Sequence, residues 1–363
     1  MFYHLLYPLT DSVSFFNLFK YITFRSAGAI LTALIVSLIF GPLFIRVLKG
    51  RGVKETIRQE GPKSHYAKEG TPTMGGIIIL AAIIIPTLLW ADLTNRFIQL
   101  ILFVTVWMGA IGFMDDYMKA ILRHPKGMVG KYKLAGQVIC GLILGLVLYY
   151  YAPFPTFGTT TEIPFVKDYI LNFSSVIVFV PFVVLVITGS SNAVNLSDGL
   201  DGLATGLCGI AFVAFAGFAY VSGRNDFSQY LQIMYLEGAG ELTIYCAATM
   251  GAALGFLWYN SHPAEIFMGD TGALALGGAM GAIAIMLKKE LLLLIVGGVF
   301  VAEALSVILQ VSSFKLRGVR IFKMAPLHHH FEQLGWPETK VVTRFWIIGV
   351  ICALLTLATL KVR

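Results

Sequence analysis

Charge is scarce in this sequence. Asp, Glu, Lys and Arg together make up 13% of 363 residues, the hydrophobic set makes up 57%, and mean hydropathy is +0.78. A soluble domain carries about 25% charged residues, so a soluble enzyme is excluded and an integral membrane protein is expected. Cysteine is sparse as well. Cys140, Cys208, Cys246 and Cys352 each lie inside an apolar run with no short paired spacing, which excludes a disulfide framework and a zinc cluster. Residues 1–25 contain Asp11 and scattered aromatics, with no basic segment leading into a short apolar core, so no cleavable signal peptide is expected. Internal repeats and low-complexity tracts are lacking too.

What is present is a series of long apolar runs. Windows of about 20 apolar residues fall near 25–47, 74–91, 97–114, 134–151, 173–190, 203–222, 242–259, 271–287, 291–311 and 343–361. The fold class expected is therefore an all-α polytopic membrane protein of about ten transmembrane helices, forming one integral membrane domain over 1–363. The connections near 48–73, 115–133 and 312–342 are long enough to build a site but too short to fold alone. Gly is abundant, with 37 residues, as suits helices that approach closely, and such faces would admit a homodimer.

The formal charge of +7 would in another setting point to nucleic acid. Here the cations gather between spans. The loop after the first window carries Arg46, Lys49, Arg51, Lys54, Arg58, Lys63 and Lys68. The loop after the third carries Lys119, Arg123, Lys126, Lys131 and Lys133, and the loop after the ninth carries Lys315, Arg317, Arg320, Lys323, Lys340 and Arg344. All three loops fall on one side, which the positive-inside rule makes cytoplasmic, so both termini are expected to be periplasmic and no nucleic-acid partner is expected.

The acidic residues of interest fall on that same face. Asp115, Asp116, Asp198, Asp201 and Asp270 sit at the ends of apolar runs, where an ionisable group is costly and marks function by default. Had they been divided between the two faces, a conduction path would be the reading; on one face they indicate an active site for a cation and a phosphate. In Gly112-Phe113-Met114-Asp115-Asp116-Tyr117-Met118-Lys119, the adjacent carboxylates point about 100° apart on a helix and serve two neighbouring partners. Lys119, one turn on, is placed to pair with them or meet a phosphate.

The stretch from Ser191 to Gly202 holds Asn192, Asn195, Asp198 and Asp201 but no basic residue. An acid-and-amide loop of this kind suits a cation or sugar and base hydrogen bonds, with Asp198 alternatively a helix N-cap. Asn260 opens a third stretch running to Gly272, in which Phe267 is placed to stack on a base and Asp270 to ligate Mg²⁺. A fourth contains His328, His329 and His330. Three consecutive histidines cannot address one metal from a helix, so contacts to phosphate or nucleotide are favoured over a transition metal. Gly70 to Gly76, including Thr73, opens the second window, and such a helix start can receive phosphate. Gly127-Met128-Val129-Gly130-Lys131 lacks P-loop spacing, though its lysines are candidate diphosphate contacts.

Taken together these stretches resemble the polyprenyl-phosphate N-acetylhexosamine-1-phosphate transferase superfamily, within it the phospho-N-acetylmuramoyl-pentapeptide transferase branch. The likeness runs from about Tyr21 to Arg363. Asp115-Asp116, Asn195 to Asp201 and Phe267 to Asp270 carry the superfamily pattern, and Gly70 to Gly76 and Pro326 to Glu332 that of the branch. The resemblance implies a Mg²⁺-dependent enzyme of the bacterial cytoplasmic (inner) membrane. It would take UDP-MurNAc-pentapeptide and undecaprenyl phosphate to lipid I and UMP, in the membrane step of peptidoglycan synthesis. It implies that Asp270 ligates Mg²⁺ with Asp115 or Asp116 close by, and that one of that pair orients or deprotonates the lipid phosphate. Asn195, Asp198, Asp201 and Phe267 would form the uridine and metal pocket, Lys119 and Lys131 would contact phosphates, and His329 with its neighbours would bind near the scissile diphosphate.

Two rivals remain at this stage. A sister transferase acting on UDP-GlcNAc is opposed by the triple-histidine stretch. A transporter would place its carboxylates near the bilayer midplane and not at helix ends on one face.

Overall fold

The computed structural model describes residues 1–50, 70–124, 127–151, 158–166 and 170–361. Arg51, Lys54, Arg58, Lys63 and Lys68 of the first basic loop, and Lys126 of the second, lie outside the described residues. A short helix α1 (Phe2–Leu6) precedes α2 (Ile22–Gly50), α3 (Gly76–Trp90), α4 (Arg96–Ala120) and α5 (Gly130–Tyr150). A two-stranded antiparallel hairpin follows, β1 (Thr160–Glu162) with β2 (Ile170–Asn172), Thr160 opposite Asn172. Then come α6 (Val176–Ser197), α7 (Leu203–Ser222), α8 (Asn225–Leu231), α9 (Leu242–Asn260), α10 (Gly269–Met286), α11 (Glu290–Val296), α12 (Gly298–Arg317), α13 (Leu327–Gln333) and α14 (Glu338–Ala358).

All ten expected windows are helical. Among the described residues nine helices are long and apolar enough to cross a membrane; α3, with 15 residues, is the shorter tenth. At ~1.5 Å per residue α3 reaches about 22 Å, less than the ~30 Å hydrocarbon core. It is entered through an extended segment, where Phe267 donates its amide to Pro72 O and Gly75 donates to Phe267 O. The chain is an all-α polytopic membrane protein, with one small hairpin among the described residues.

The ninth expected span differs in detail. Instead of one helix over 291–311, α11 ends at Val296 and α12 begins at Gly298. The Gly297-Gly298 pair at the break is a common site of helix kinking.

At the centre lies α10, whose sequence is mostly Gly and Ala. Every residue from Thr271 to Met286 is buried, and small side chains let α4, α6, α3 and α7 close on it. α2, α3 and α7 pack on α9, and α14 packs on α7.

Contacts divide the bundle ends into two groups. At one end the Met1 amino group donates to Leu88 O (2.9 Å), Asn95 Nδ2 to Gly238 O (3.0 Å), and Lys361 Nζ to Tyr230 O (3.1 Å). The hairpin sits at this end: Lys289 pairs with Glu162, and Thr161 donates to Glu290. Met1 and Lys361 therefore lie at the end of the bundle opposite Asp115 and Asp270.

Candidate active site

The carboxylates converge because α4 and the start of α10 touch backbone to backbone. A Cβ at Gly112 would run into the Asp270 carbonyl, so glycine there sets how closely the two helices meet. One turn further along α4, the adjacent aspartates separate as their helical offset dictates. Asp116, 3% exposed, turns to α10 and accepts from Asp270 N (3.0 Å), Thr271 N (2.9 Å) and Thr271 Oγ1 (2.5 Å). It thus holds the start of α10, where unpaired amides and the helix dipole favour an anion.

Asp115 faces the other way. Its Oδ1 accepts from Met128 N (2.6 Å), and its Oδ2 lies 2.6 Å from Lys119 Nζ and 3.2 Å from Lys133 Nζ. Both lysines also reach Asp270 Oδ2, at 2.8 and 2.7 Å. Two carboxylates and two ammonium groups form a closed square at the end of the bundle. The square is accessible through Lys119, whose side chain is 37% exposed.

Lys133 was not among the residues singled out from sequence, whereas Lys131 was. The structure reverses their places. Lys131 is exposed, its Nζ 5.1 Å from the Tyr132 ring centroid and away from the carboxylates. The reason is helical phase: two residues in α5 are about 200° apart. The face that buries Gln137, one turn after Lys133, is the face turned inward. The sequence carried no signal for this choice, since the burial of Gln137 is itself a tertiary fact.

A second group adjoins the first through Asn260. Its Oδ1 accepts from Gly202 N (3.2 Å) and Thr205 Oγ1 (3.1 Å), and its Nδ2 donates to Ile266 O (2.9 Å). Asn260 is buried and braces the 198–202 loop against the 261–268 loop. Asp201 is also buried. Its Oδ2 is 3.0 Å from His262 Nδ1 and accepts from Ala264 N at 3.1 Å, while its own amide donates to Glu338 Oε1 at 2.7 Å. Among the described residues Asp201, His262 and Glu338 bring three ligand-type atoms within 4.8 Å of one another. Asp198 sits at the C-terminal end of α6, not at a helix N-cap, and Asn195 lies in the last turn of that helix. Thr73 is buried within the 72–75 segment that pairs with Phe267, which is itself half-buried.

The three histidines have three different partners. His328 Nδ1 lies 3.2 Å from Glu303 Oε1, His329 Nδ1 2.8 Å from Glu332 Oε2, and His330 Nδ1 accepts from Lys323 N at 3.2 Å. The triplet is thus three separately held side chains.

The profile of the family described as Glycosyl transferase family 4 matches residues 98–288, which spans α4 through α10. A Phospho-N-acetylmuramoyl-pentapeptide-transferase signature matches residues 68–80, the approach to and start of α3. Over its full length the chain is 55% identical to the phospho-N-acetylmuramoyl-pentapeptide-transferase of Gemmatimonas aurantiaca, 54% to that of Pelobacter propionicus and 52% to that of Thermodesulfovibrio yellowstonii, each relative also being covered completely. The chain belongs to the phospho-N-acetylmuramoyl-pentapeptide-transferase family. It is a multi-pass protein of the bacterial cytoplasmic membrane. The family profile takes in Asp115, Asp116, Lys119, Lys133 and Asp270, and the signature takes in Thr73.

Proposed function

We propose that the chain transfers phospho-MurNAc-pentapeptide from UDP-MurNAc-pentapeptide to undecaprenyl phosphate, giving lipid I and UMP. Full-length identity to transferases of that name supports this reading most strongly. The square of Asp115, Asp270, Lys119 and Lys133 at one end of the bundle supplies chemistry that phosphoryl transfer needs. There is little covalent work for a protein to do in such a reaction, so catalysis rests on positioning and charge.

Lys119 and Lys133 would meet the donor diphosphate, exchanging carboxylate oxygens for phosphate oxygens. Asp115, with an oxygen turned to the lysines, would orient the lipid phosphate, itself an adequate nucleophile once positioned. Asp116 would act through Asp270: its three hydrogen bonds keep Asp270 at the head of α10. Phe267, Asn195, Asp198 and Asp201 would receive the uridine and sugar, and His329 with its neighbours the diphosphate side of the donor. The basic end of the bundle faces the cytoplasm in this reading, where it would gather an anionic soluble substrate.

The donor set fits magnesium. Asp115 and Asp270 present hard oxygen ligands side by side, as Mg²⁺ prefers, and the two ammonium groups against them show how much positive charge the pair needs. When bound, Mg²⁺ would neutralise the diphosphate and ease the departure of UMP. The purified protein in detergent, given both substrates, should release UMP in step with a lipid-linked product. EDTA should stop both, and added Mg²⁺ should restore them. Undiminished turnover in EDTA would remove the metal, and turnover with UDP-GlcNAc alone would move the chain to another donor.

Asp116→Asn should keep the protein folded and lower kcat by about a hundredfold, ~2.7 kcal/mol of transition-state stabilisation. An amide replaces one of the acceptors that meet Asp270 N, Thr271 N and the Thr271 hydroxyl, so Asp270 loses its fixed position. Turnover within a factor of about three of wild type would show that Asp116 is not needed to place it.

A further inference from the structure

One carboxylate lies deep in the ninth apolar run. Glu303 on α12 is fully buried, and among the described residues no lysine or arginine pairs with it. Its Oε1 accepts from the His328 amide (3.1 Å) and lies 3.2 Å from His328 Nδ1. His328 is 1% exposed. Its other ring nitrogen, Nε2, faces Gly199 so closely that a Cβ there would run into it. Glu303 Oε2 and both ring nitrogens of His328 are buried without a hydrogen-bond partner, so Nδ1 meets the carboxylate as a close charge contact only. A carboxylate in a span costs several kcal/mol unless something uses it, and a cap for the seven-residue α13 could be made by a neutral side chain.

The contacts form a line. Glu303 holds His328, His328 presses on Gly199, and Gly199 lies between Asp198 and Asp201, with Asn195 a turn before. The His328 ring also packs on the His329 ring, with centroids 4.1 Å apart. Of the groups assigned above to the donor, Glu303 therefore touches His328, and His328 in turn lies against the loop that carries three others.

We propose that Glu303 is a positioning residue for the donor: through His328 it fixes the Asn195–Gly202 loop in its binding position. The inference rests on the reading of that loop as part of the donor pocket. Its consequence is selective, because the lipid phosphate is assigned to Asp115 on another helix pair.

The test is a set of steady-state measurements on the full-length protein in detergent, varying UDP-MurNAc-pentapeptide and undecaprenyl phosphate in turn. Glu303→Gln keeps an oxygen for the His328 amide, so the cap of α13 survives while the charge on the imidazole goes. Its KM for the donor should rise about tenfold as the loop loses its fixed position, with KM for the lipid unchanged. His328→Asn should do the same, and the double variant should be no worse than the poorer single one, since both act on one contact.

Wild-type values for Glu303→Gln would overturn the inference. So would a parallel fall in kcat and thermal midpoint with both KM values unmoved, which a merely structural carboxylate would give. Asp198→Asn distinguishes failure of the loop's donor role from failure of the Glu303 inference. If it leaves donor KM unchanged, the loop reading fails and the Glu303 inference with it. If it raises donor KM while Glu303→Gln is silent, the inference alone fails.

Discussion

Replacing Asp270 with Asn is expected to lower kcat by about a thousandfold, ~4 kcal/mol of transition-state stabilisation, without unfolding the protein. Asp270 Oδ2 receives both Lys119 Nζ and Lys133 Nζ. Each lysine also has Asp115 within reach, so neither is left unpaired by the substitution. The amide backbone of residue 270 still donates to Asp116, and the head of α10 stays in place. What is lost is one of the two charged oxygens that face the lysines, together with half of the donor set proposed for Mg²⁺. UMP release at saturating Mg²⁺, measured beside a thermal unfolding curve, checks the prediction. Near-normal turnover would show that Asp270 is not the metal-holding residue. Loss of turnover with an equal loss of folded protein would make it a structural one.

The largest effect on stability is expected at the opposite end of the bundle. Arg25, in the first turn of α2, is 2% exposed and pairs in fork geometry with Glu241, at 2.8 and 2.6 Å; Glu241 also accepts from Asp92 N at 2.9 Å. This one carboxylate joins α2 to the start of α9 and to the turn after α3. Removing one partner of a buried pair strands the other charge, at a cost of about 3–5 kcal/mol. Glu241→Ala should therefore lower the unfolding midpoint by on the order of 10 °C, while the fraction that remains folded keeps its turnover, since the carboxylate square is at the other end. Glu241→Gln, which preserves one acceptor, should lose less. A midpoint unchanged in Glu241→Ala would mean that the Arg25 guanidinium is satisfied by Trp90 O and the Tyr3 ring, its other neighbours.

The apolar runs located ten helical stretches, the ninth of them divided in two, because a membrane span must satisfy its backbone internally and must be about as long as the bilayer is thick. Loop charge gave the division into two faces. The break between α11 and α12 was not read, although Gly297-Gly298 announces it, because an apolar window measures composition and not helix continuity. Glu303 was missed for a related reason: attention went to carboxylates at the ends of runs, and this one lies within a run. The Asp115-Asp116 pair was legible as two residues with two directions, but not which would hold a helix and which would face the lysines.

Sequence by itself determined that this is a polytopic membrane protein, that its acidic motifs share one face with its basic loops, and which motifs carry the family resemblance. Those properties are written in composition and period along the chain, since they depend on each segment's own transfer to the membrane. The tertiary structure alone decided that Lys133 and not Lys131 reaches Asp115 and Asp270. It also decided that Asp116 is spent on the head of α10, that Asn260 is a brace between loops, and that the three histidines have three separate carboxylate or amide partners. Each of these depends on which helices touch and at what phase. That is set by small residues such as Gly112 at the crossing of α4 and α10, a contact between positions more than 150 residues apart that no local pattern records.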